Sequence, residues 1–310
     1  PMPNVQEIFQ SIDGFDYAST LDMSKGFYHI KITKKASEVF TTALPWGKYS
    51  FVRAPMGFAG SPDFFQSKMD ELLGDLPFCY CFIDDVAIVT KGSFQDHVNH
   101  IAAVFDRLEM GNIRLNLKKC YFAKDELAYL GFLFSRKGIR ADPTKVTAVE
   151  KIQPPTNIKE LRQFLGLTNY LRQHIPRYSH HVASLSDLLK GVKRVKLPNG
   201  KYKQTKPVKY CWSEKCQEDF DTIKKLLARQ VMLSFPDYNQ EFFIYTDASK
   251  LQVGAVILQK DLVRGNWKSP IAYYSQKMTP AQTRYSVGEQ ELLSIVLTLK
   301  TFRSMLFGRK

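Results

Sequence analysis

The stretch from Phe78 to Thr90, Phe-Cys-Tyr-Cys-Phe-Ile-Asp-Asp-Val-Ala-Ile-Val-Thr, constrains the fold of this chain more than any other. Two short apolar runs rich in β-branched and aromatic residues flank Asp84-Asp85, which predicts a hairpin carrying a pair of carboxylates at its turn. Adjacent carboxylates repel each other, and apolar flanks make the repulsion worse unless a cation sits between the two. The pair therefore points to bound Mg2+. Taken alone it is also what turn chemistry produces, because Asp is common in turns. Cys79 and Cys81 lie two apart on a strand and so face the same side, where packing is their expected role.

Two further stretches bear on that choice. Ser19-Thr-Leu-Asp22-Met-Ser-Lys-Gly-Phe27 reads as a strand that ends in Asp22 and runs into a Gly-containing turn, so a third carboxylate can join the hairpin pair. Pro55-Met56-Gly57-Phe-Ala-Gly-Ser61-Pro62-Asp-Phe-Phe-Gln66 reads as a Gly-rich loop opening a helix, with Ser61 as N-cap and Pro62 at the first helical position. Such a loop lets backbone come close to a flat or anionic ligand.

Strand-Asp, Gly-rich loop into helix, then aromatic-x-Asp-Asp, in this order, resembles the palm of a reverse transcriptase, and the pattern is similar to that of gypsy-type LTR retrotransposons. The resemblance extends over essentially the whole chain. It implies an α+β fold class: a polymerase palm with an antiparallel sheet and helices, a helical thumb, and a partial ribonuclease H-like α/β domain. The implied domains are residues 1–140 for the palm with a remnant of the fingers, 141–236 for the thumb and connection with a basic insert at 190–209, and 237–310 for the N-terminal half of the ribonuclease H-like domain.

The resemblance also assigns roles. Asp22 and Asp84 would bridge two Mg2+ ions, for which Mn2+ can substitute, with the Met23 carbonyl as a further ligand and Asp85 as the auxiliary acid. Phe27 would lie beneath the incoming sugar and disfavour a 2′-hydroxyl; judged by sequence alone it is equally a core aromatic. Met56 and Gly57 would border the nascent base pair. Met56 stands where many retroviral relatives have Gln, and Phe82 where many have Tyr. The family's triphosphate-clamping fingers precede the point where this chain starts, which leaves Lys25 and Arg53 to supply some positive charge. Leu127–Ser135 is apolar throughout, as a hairpin packed on both sides would be. It resembles the primer grip, with Leu130, Gly131 and Phe132 holding a primer 3′ end; the plainer reading is a core strand around Gly131.

Elsewhere in the first half, strands are expected at 15–21, 28–32, 39–44 and 49–53, with a turn at Trp46-Gly47-Lys48. A helix is expected over 62–73 with Phe64, Phe65, Met69, Leu72 and Leu73 on one face. Another is expected over 94–110, closed by Gly111. His97 and His100 lie three apart on it, but no Cys or carboxylate pattern completes a metal site, so they read as surface histidines.

The net charge of +14 is uneven: from Pro143 to Tyr210 there are 14 Lys/Arg against three acids, Glu150, Glu160 and Asp187. A basic middle beside an acidic catalytic region suits a polyanion held while chemistry proceeds next door, the alternative being a solvated basic surface. Asp142-Pro143 marks a helix start and Asn157-Ile-Lys-Glu160 a capping-box pattern, and with 178–189 they make a small helical unit. Lys190 to Lys209 carries eight Lys/Arg and no acid around a Pro198-Asn199-Gly200 turn, which fits a basic ribbon or a mobile loop. The hydrophobic content of 44% excludes a disordered chain. No run of about 18 apolar residues exists, so no membrane span is expected. Five cysteines without a secretory signal point to an intracellular setting, cytoplasmic or in an element particle with access to the nucleus. A start at Pro1 reads as a piece of a longer protein, in the family the remainder of a pol polyprotein.

After a helical connector at 212–227, the pattern changes to strands at 241–247, 253–259 and 271–275, then a long helix from about 280 to 306. This resembles the first half of the ribonuclease H fold, with Asp247 and Glu291 matching two of its metal-binding acids. Glu289, two residues from Glu291 on a helix, should project elsewhere. The family's third Asp would fall after Lys310, so the nuclease is expected to be incomplete. The function implied is RNA-directed DNA polymerase, with an RNA template, a DNA primer, the RNA-DNA hybrid and deoxynucleoside triphosphates as partners. Two competing readings are a non-catalytic nucleic-acid-binding remnant and a hydrolase acting on RNA in a hybrid through Asp247.

Overall fold

Asn4 opens the first ordered element: its side-chain oxygen accepts from Gln6 N and caps helix α1 (Val5–Ser11), which buries Ile8 and Phe9. The structure is a computed structural model, and it describes residues 2–190, 194–196, 202–204, 210–261, 265–267 and 269–309. Two compact units divide it, Pro1–Lys137 and Gly138–Lys310.

In the first unit the chain runs through β1 (Tyr17–Asp22), α2 (Lys34–Val39), β2 (Thr41–Leu44), β3 (Gly47–Ser50), α3 (Ser61–Leu73), β4 (Cys79–Phe82), β5 (Asp85–Thr90), α4 (Phe94–Met110), β6 (Tyr121–Lys124), β7 (Glu126–Tyr129) and β8 (Phe132–Ser135). Its main sheet has the order β4-β5-β1-β6, antiparallel throughout, so β1 lies beside β5 although about seventy residues separate them. Ser19 stands opposite Ile88 and Leu21 opposite Val86, and the face they share is covered by α3 and α4. There Leu21, Val86 and Ile88 meet Phe65, Met69, Val104 and Leu108 in one buried cluster. Each such side chain contributes about 1.5–3 kcal/mol by leaving water. Cys79 and Cys81 pack against its edge, as expected of a same-side pair.

Several local expectations change. Residues 28–32 are no strand: Gly26–His29 is a 3-10 turn, and only Lys31 pairs, with Arg53. Val39 closes α2 rather than opening a strand, because Thr33 caps that helix by accepting from Ala36 N. The next hairpin turns at Pro45-Trp46, with Gly47 already in β3, and both of its strands are exposed. On α3 the N-cap is Gly60, while the Ser61 hydroxyl donates to the Pro55 carbonyl. Phe64 is 64% exposed, off the buried face formed by Phe65, Met69, Leu72 and Leu73. Helix α4 runs as expected, capped by a Ser93–Asp96 capping box and closed by Gly111.

His97 is not a surface histidine. It is fully buried, with Nε2 at 2.7 Å from the Ser19 hydroxyl and Nδ1 at 2.7 Å from the Thr90 hydroxyl, which also lies 2.8 Å from His100 Nδ1. Burial, with His100 next, pushes its pKa down, so the neutral ring ties α4 to both central strands. Periodicity could not reveal this, because the partners come from strands far away in sequence.

The second unit contains β9 (Gly138–Ala141), α5 (Pro143–Glu150), α6 (Ile158–Tyr170), α7 (Tyr178–His181), α8 (Ala183–Asp187), β10 (Arg194–Lys196), β11 (Tyr202–Gln204), α9 (Glu214–Ala228), β12 (Phe243–Ala248), β13 (Gln252–Leu258), β14 (Ala272–Lys277), α10 (Val287–Thr301) and α11 (Arg303–Leu306). Asp142 caps α5 with Pro143 inside it, and Asn157 caps α6. Glu160 bonds Thr156 rather than the Asn157 amide, so the expected box is only half made. Strands β10 and β11 pair antiparallel, and the Pro198–Gly200 turn lies outside the described residues.

Strands β12, β13 and β14 form an antiparallel sheet with α10 on one face. The helix expected over 280–306 is interrupted. A Ser286–Glu289 capping box starts α10 afresh after a 3-10 turn, and Phe302 breaks it before α11. The regions 141–236 and 237–310 lie within the same unit. The Arg172 guanidinium donates to the Ser275 carbonyl, Ser179 N donates to Ser275 Oγ at 2.8 Å, and Lys277 pairs with Asp187 at 2.8 Å. No helix among the described residues is long and apolar enough to cross a membrane.

Candidate active site

The β1–β5 register places Asp22 opposite Asp85, so the pairing of two strands joins carboxylates that the sequence separates widely. Asp84 is next to them, in the two-residue turn between Phe82 and Asp85. Its carbonyl accepts from Met23 N at 3.3 Å, which ties the turn to the residue after Asp22. Asn116 N donates to the Asp22 carbonyl at 2.9 Å, so the end of β1 is held from both sides.

The electrostatics record the convergence. Partial burial pushes the Asp85 carboxyl up, and the charges of Asp84 and Asp22 push it the same way, while Lys119 opposes them. Lys119 Nζ stands 3.5 Å from Asp22 Oδ2. Among the described residues, no three His, Cys, Asp or Glu side chains are gathered so that they could hold a metal ion. Like charges disfavour gathering carboxylates with no cation between them, and Lys119 stands beside Asp22. The donor chemistry nevertheless fits a hard divalent cation, since carboxylate and carbonyl oxygens are its usual ligands and a cation would offset the burial and the neighbouring charges that together raise Asp85.

The other expected residues fall around this pair to different degrees. The Phe27 ring packs edge-on to Phe65 at 5.8 Å, so a core residue fixes its position. Gly26, beside it, is closely surrounded: a Cβ there would sit 3.1 Å from the Phe65 ring and 3.5 Å from the Asp84 Cβ. Lys25 has a left-handed backbone, φ +53°, and is exposed. Met56 is exposed, and Gly57 at φ +88° has the open surroundings in which backbone can be approached closely.

Leu130 and Gly131 form the tight turn between β7 and β8 with φ of +47° and +74°. Two positive φ values define a type I′ hairpin turn, for which Gly is suited and Leu is not. This turn borders the acids: a cavity of about 120 Å³ is lined by Asp22, Asp85, Lys119, Tyr121, Tyr129 and Leu130. Phe132 is buried edge-on to Phe9 at 4.9 Å, so its ring serves packing. Strand β7 alternates between exposed and buried, so only β8 is closely packed along its length.

Three residues near the acids escaped sequence reasoning. Lys119 reaches Asp22 from beyond α4. The Tyr129 hydroxyl donates to the Tyr80 carbonyl at 3.1 Å and lies 3.5 Å from that of Asp85, coupling the β7–β8 hairpin to the acid hairpin. The Gln66 side chain accepts from Ile83 N at 2.6 Å. Only Tyr129 carried a signal, as an aromatic with a polar end inside an otherwise apolar stretch.

In the second unit, Glu291 Oε1 accepts from Ala248 N at 3.3 Å, which sets Glu291 beside the residue after Asp247. Arg177 lies 3.7 Å from Asp247 Oδ2, both side chains being largely exposed. Glu289 turns away to close the cap of α10, as expected.

Residues 2–134 match the family described as reverse transcriptase (RNA-dependent DNA polymerase), and residues 212–310 match the RNase H-like domain found in reverse transcriptase. Similar proteins include the retrovirus-related Pol polyprotein from transposon opus of Drosophila melanogaster, 33% identical over 99% of this chain and 30% of that protein. The corresponding polyprotein from transposon 297 is 35% identical over 100% of this chain and 27% of its own length. The transposon Tf2-3 polyprotein of Schizosaccharomyces pombe is 31% identical over 99% and 22%. The chain thus spans less than a third of these relatives. Among solved structures, the foamy viral protease-reverse transcriptase in complex with an RNA/DNA hybrid is similar at a TM-score of 0.83, with 22% identity, covering 99% of this chain and 39% of that one. The same protein in complex with double-stranded DNA gives 0.80, covering 99% and 61%.

Proposed function

We propose that this chain, which belongs with the reverse transcriptases of retrotransposon Pol polyproteins and carries matches to their polymerase domain and to their RNase H-like domain, extends a DNA primer along an RNA template. The observation that supports this reading is the convergence of Asp22 with Asp84-Asp85 through the pairing of β1 with β5.

Asp22, Asp84 and the Met23 carbonyl would hold divalent ions, Mg2+ with Mn2+ as a substitute, which when bound stabilise both the attacking and the leaving oxygens of a phosphoryl transfer. Asp85, whose proton is held more tightly than usual, is the auxiliary acid. Phe27, braced by Phe65, would stand against the sugar of a deoxynucleoside triphosphate and exclude a 2′-hydroxyl. Met56 and the bare backbone at Gly57 would face the new base pair, with Lys25 toward the phosphates. The Leu130-Gly131 turn, bordering the same cavity as Asp22 and Asp85, would hold the primer end.

An RNA-DNA hybrid is the partner that fits this activity, and the foamy viral protein is described in complex with one. Asp247 and Glu291 would contribute to a ribonuclease H-like site, and the remainder of a Pol polyprotein would accompany the chain inside the cell.

Primer extension on an RNA template with Mg2+ and deoxynucleotides tests the proposal. Extension is expected to disappear in Asp22→Asn and in Asp84→Asn, and extension unchanged by either would overturn it. A second reading, a nucleic-acid-binding module without catalysis, is favoured by Lys119 standing beside Asp22, where it offsets the charge a cation would otherwise meet. It predicts strongly salt-dependent duplex binding that is indifferent to both substitutions, with no Mg2+-dependent product.

A further inference from the structure

Ile83 holds a conformation that its side chain does not favour. It occupies the first position of the two-residue turn between β4 and β5 with φ +55°, a left-handed value where glycine is the usual residue and a β-branched one is an outlier. Its apolar side chain packs at the edge of the sheet core, which explains why an isoleucine is there but not how the backbone is kept in place. The support comes from α3. Gln66, 1% exposed, accepts from the Ile83 amide with Oε1 at 2.6 Å. Its Nε2 donates to Asp70 Oδ1 at 2.8 Å and faces the Cys81 carbonyl at 3.4 Å. The carboxylate accepts only from the NH2 end, so this contact orients the side-chain amide and leaves the oxygen toward Ile83.

We propose that Gln66 is a positioning residue for the acid hairpin: its buried amide holds the left-handed Ile83 turn and so sets Asp84 against Asp22. The proposal rests on the function given above and deepens it. Asp84 follows Ile83 directly, and on its other side the Asp84 carbonyl accepts from Met23 N at 3.3 Å. The turn is therefore held between two supports, one from α3 and one from the end of β1. Withdrawal of the first leaves the Ile83 amide unpaired in a strained conformation, and the turn relaxes at the expense of the second. Helix α3 also follows the Met56–Gly60 loop directly, so the element that faces a base pair and the element that orients the acid share one rigid helix.

The test is a double-mutant cycle in the full chain, with Gln66→Met and Ile83→Gly, read by Mn2+ affinity from electron paramagnetic resonance and by hydrogen exchange of the Ile83 amide. Gln66→Met should weaken Mn2+ binding about tenfold in the parent, the size of a lost buried hydrogen bond with its stranded donor, and less than about threefold in the Ile83→Gly background, where the turn is unstrained. Ile83 exchange should accelerate in Gln66→Met. Equal losses in both backgrounds, or exchange unchanged by Gln66→Met, would overturn the proposal, because a merely structural glutamine has no reason to couple to residue 83. Should Gln66→Met fail to fold, Asp70→Ala removes the contact that orients the amide while leaving Gln66 in place and should still accelerate exchange at Ile83, unchanged exchange there counting against the proposal. If parental Mn2+ binding is indifferent to Asp22→Asn and Asp84→Asn, the metal-dependent function fails while the exchange measurement still decides the role of Gln66.

Discussion

Gly138 and Gly166 should respond to the same substitution with opposite signs. Gly138 opens β9 at φ +139°, and a Cβ there would lie far inside van der Waals contact with the Leu233 carbonyl oxygen. That carbonyl accepts from Ile139 N at 2.8 Å, and Leu233 N donates back to Ile139 at 2.8 Å. An alanine therefore adds backbone strain and forces this bridge apart. Strain of about 1–3 kcal/mol, with two hydrogen bonds of about 0.5–1.5 kcal/mol each, gives a loss of roughly 2–6 kcal/mol. Against a typical total of about 5–15 kcal/mol, that is a large fraction. Gly166 lies exposed within α6, with nothing near the Cβ position, so Gly166→Ala should stabilise by about 0.5–1 kcal/mol. Urea unfolding followed by circular dichroism measures both, and hydrogen exchange at Ile139 and Leu233 locates the Gly138→Ala damage. A Gly138→Ala protein within about 1 kcal/mol of the parent, or a Gly166→Ala protein less stable than it, would refute the reasoning.

Acid should destabilise the second unit through His174, whose pKa burial pushes down from 6.5 to about 4. Because the folded value lies below the unfolded one, this stability is complete above the ordinary histidine pKa and is lost as pH falls through it toward about 4, by about 3 kcal/mol at most. A His174→Gln protein should lack that part of the slope in a series of melts. Asp85 has the opposite sign, its folded pKa being raised, so its contribution is lost as pH rises from the ordinary carboxylate range through the raised value. Asp85→Asn should therefore melt higher than the parent at neutral pH, and the two should converge in acid; a lower melting temperature at neutral pH would contradict this. Lys119→Met should change stability by less than about 1 kcal/mol, because the lysine is largely exposed and its 3.5 Å contact with Asp22 is long, yet it should raise the Asp85 pKa further in an NMR titration.

Much of the site was legible because its chemistry is carried by short, local patterns. Apolar runs on each side of Asp84-Asp85 allow few alternatives to a hairpin, and helical apolar spacing closed by Gly111 marks α4 without reference to anything distant. Where local signals compete, the reading failed. Val39 and Phe40 look like strand residues, yet the Thr33 cap draws Lys34–Val39 into a helix, and Ser286 restarts a helix that apolar spacing alone would make continuous.

By itself, then, the order of residues determined which elements form and which acids are available, since capping, alternation and turn chemistry act over a few residues. Tertiary structure alone decided that Asp22 stands opposite Asp85, that Lys119 reaches Asp22, and that His97 is buried between Ser19 and Thr90. The physical reason is that strand register and helix packing depend on the whole core at once. Leu21, Val86 and Ile88 must meet Phe65 and Met69, and no window along the chain contains that requirement.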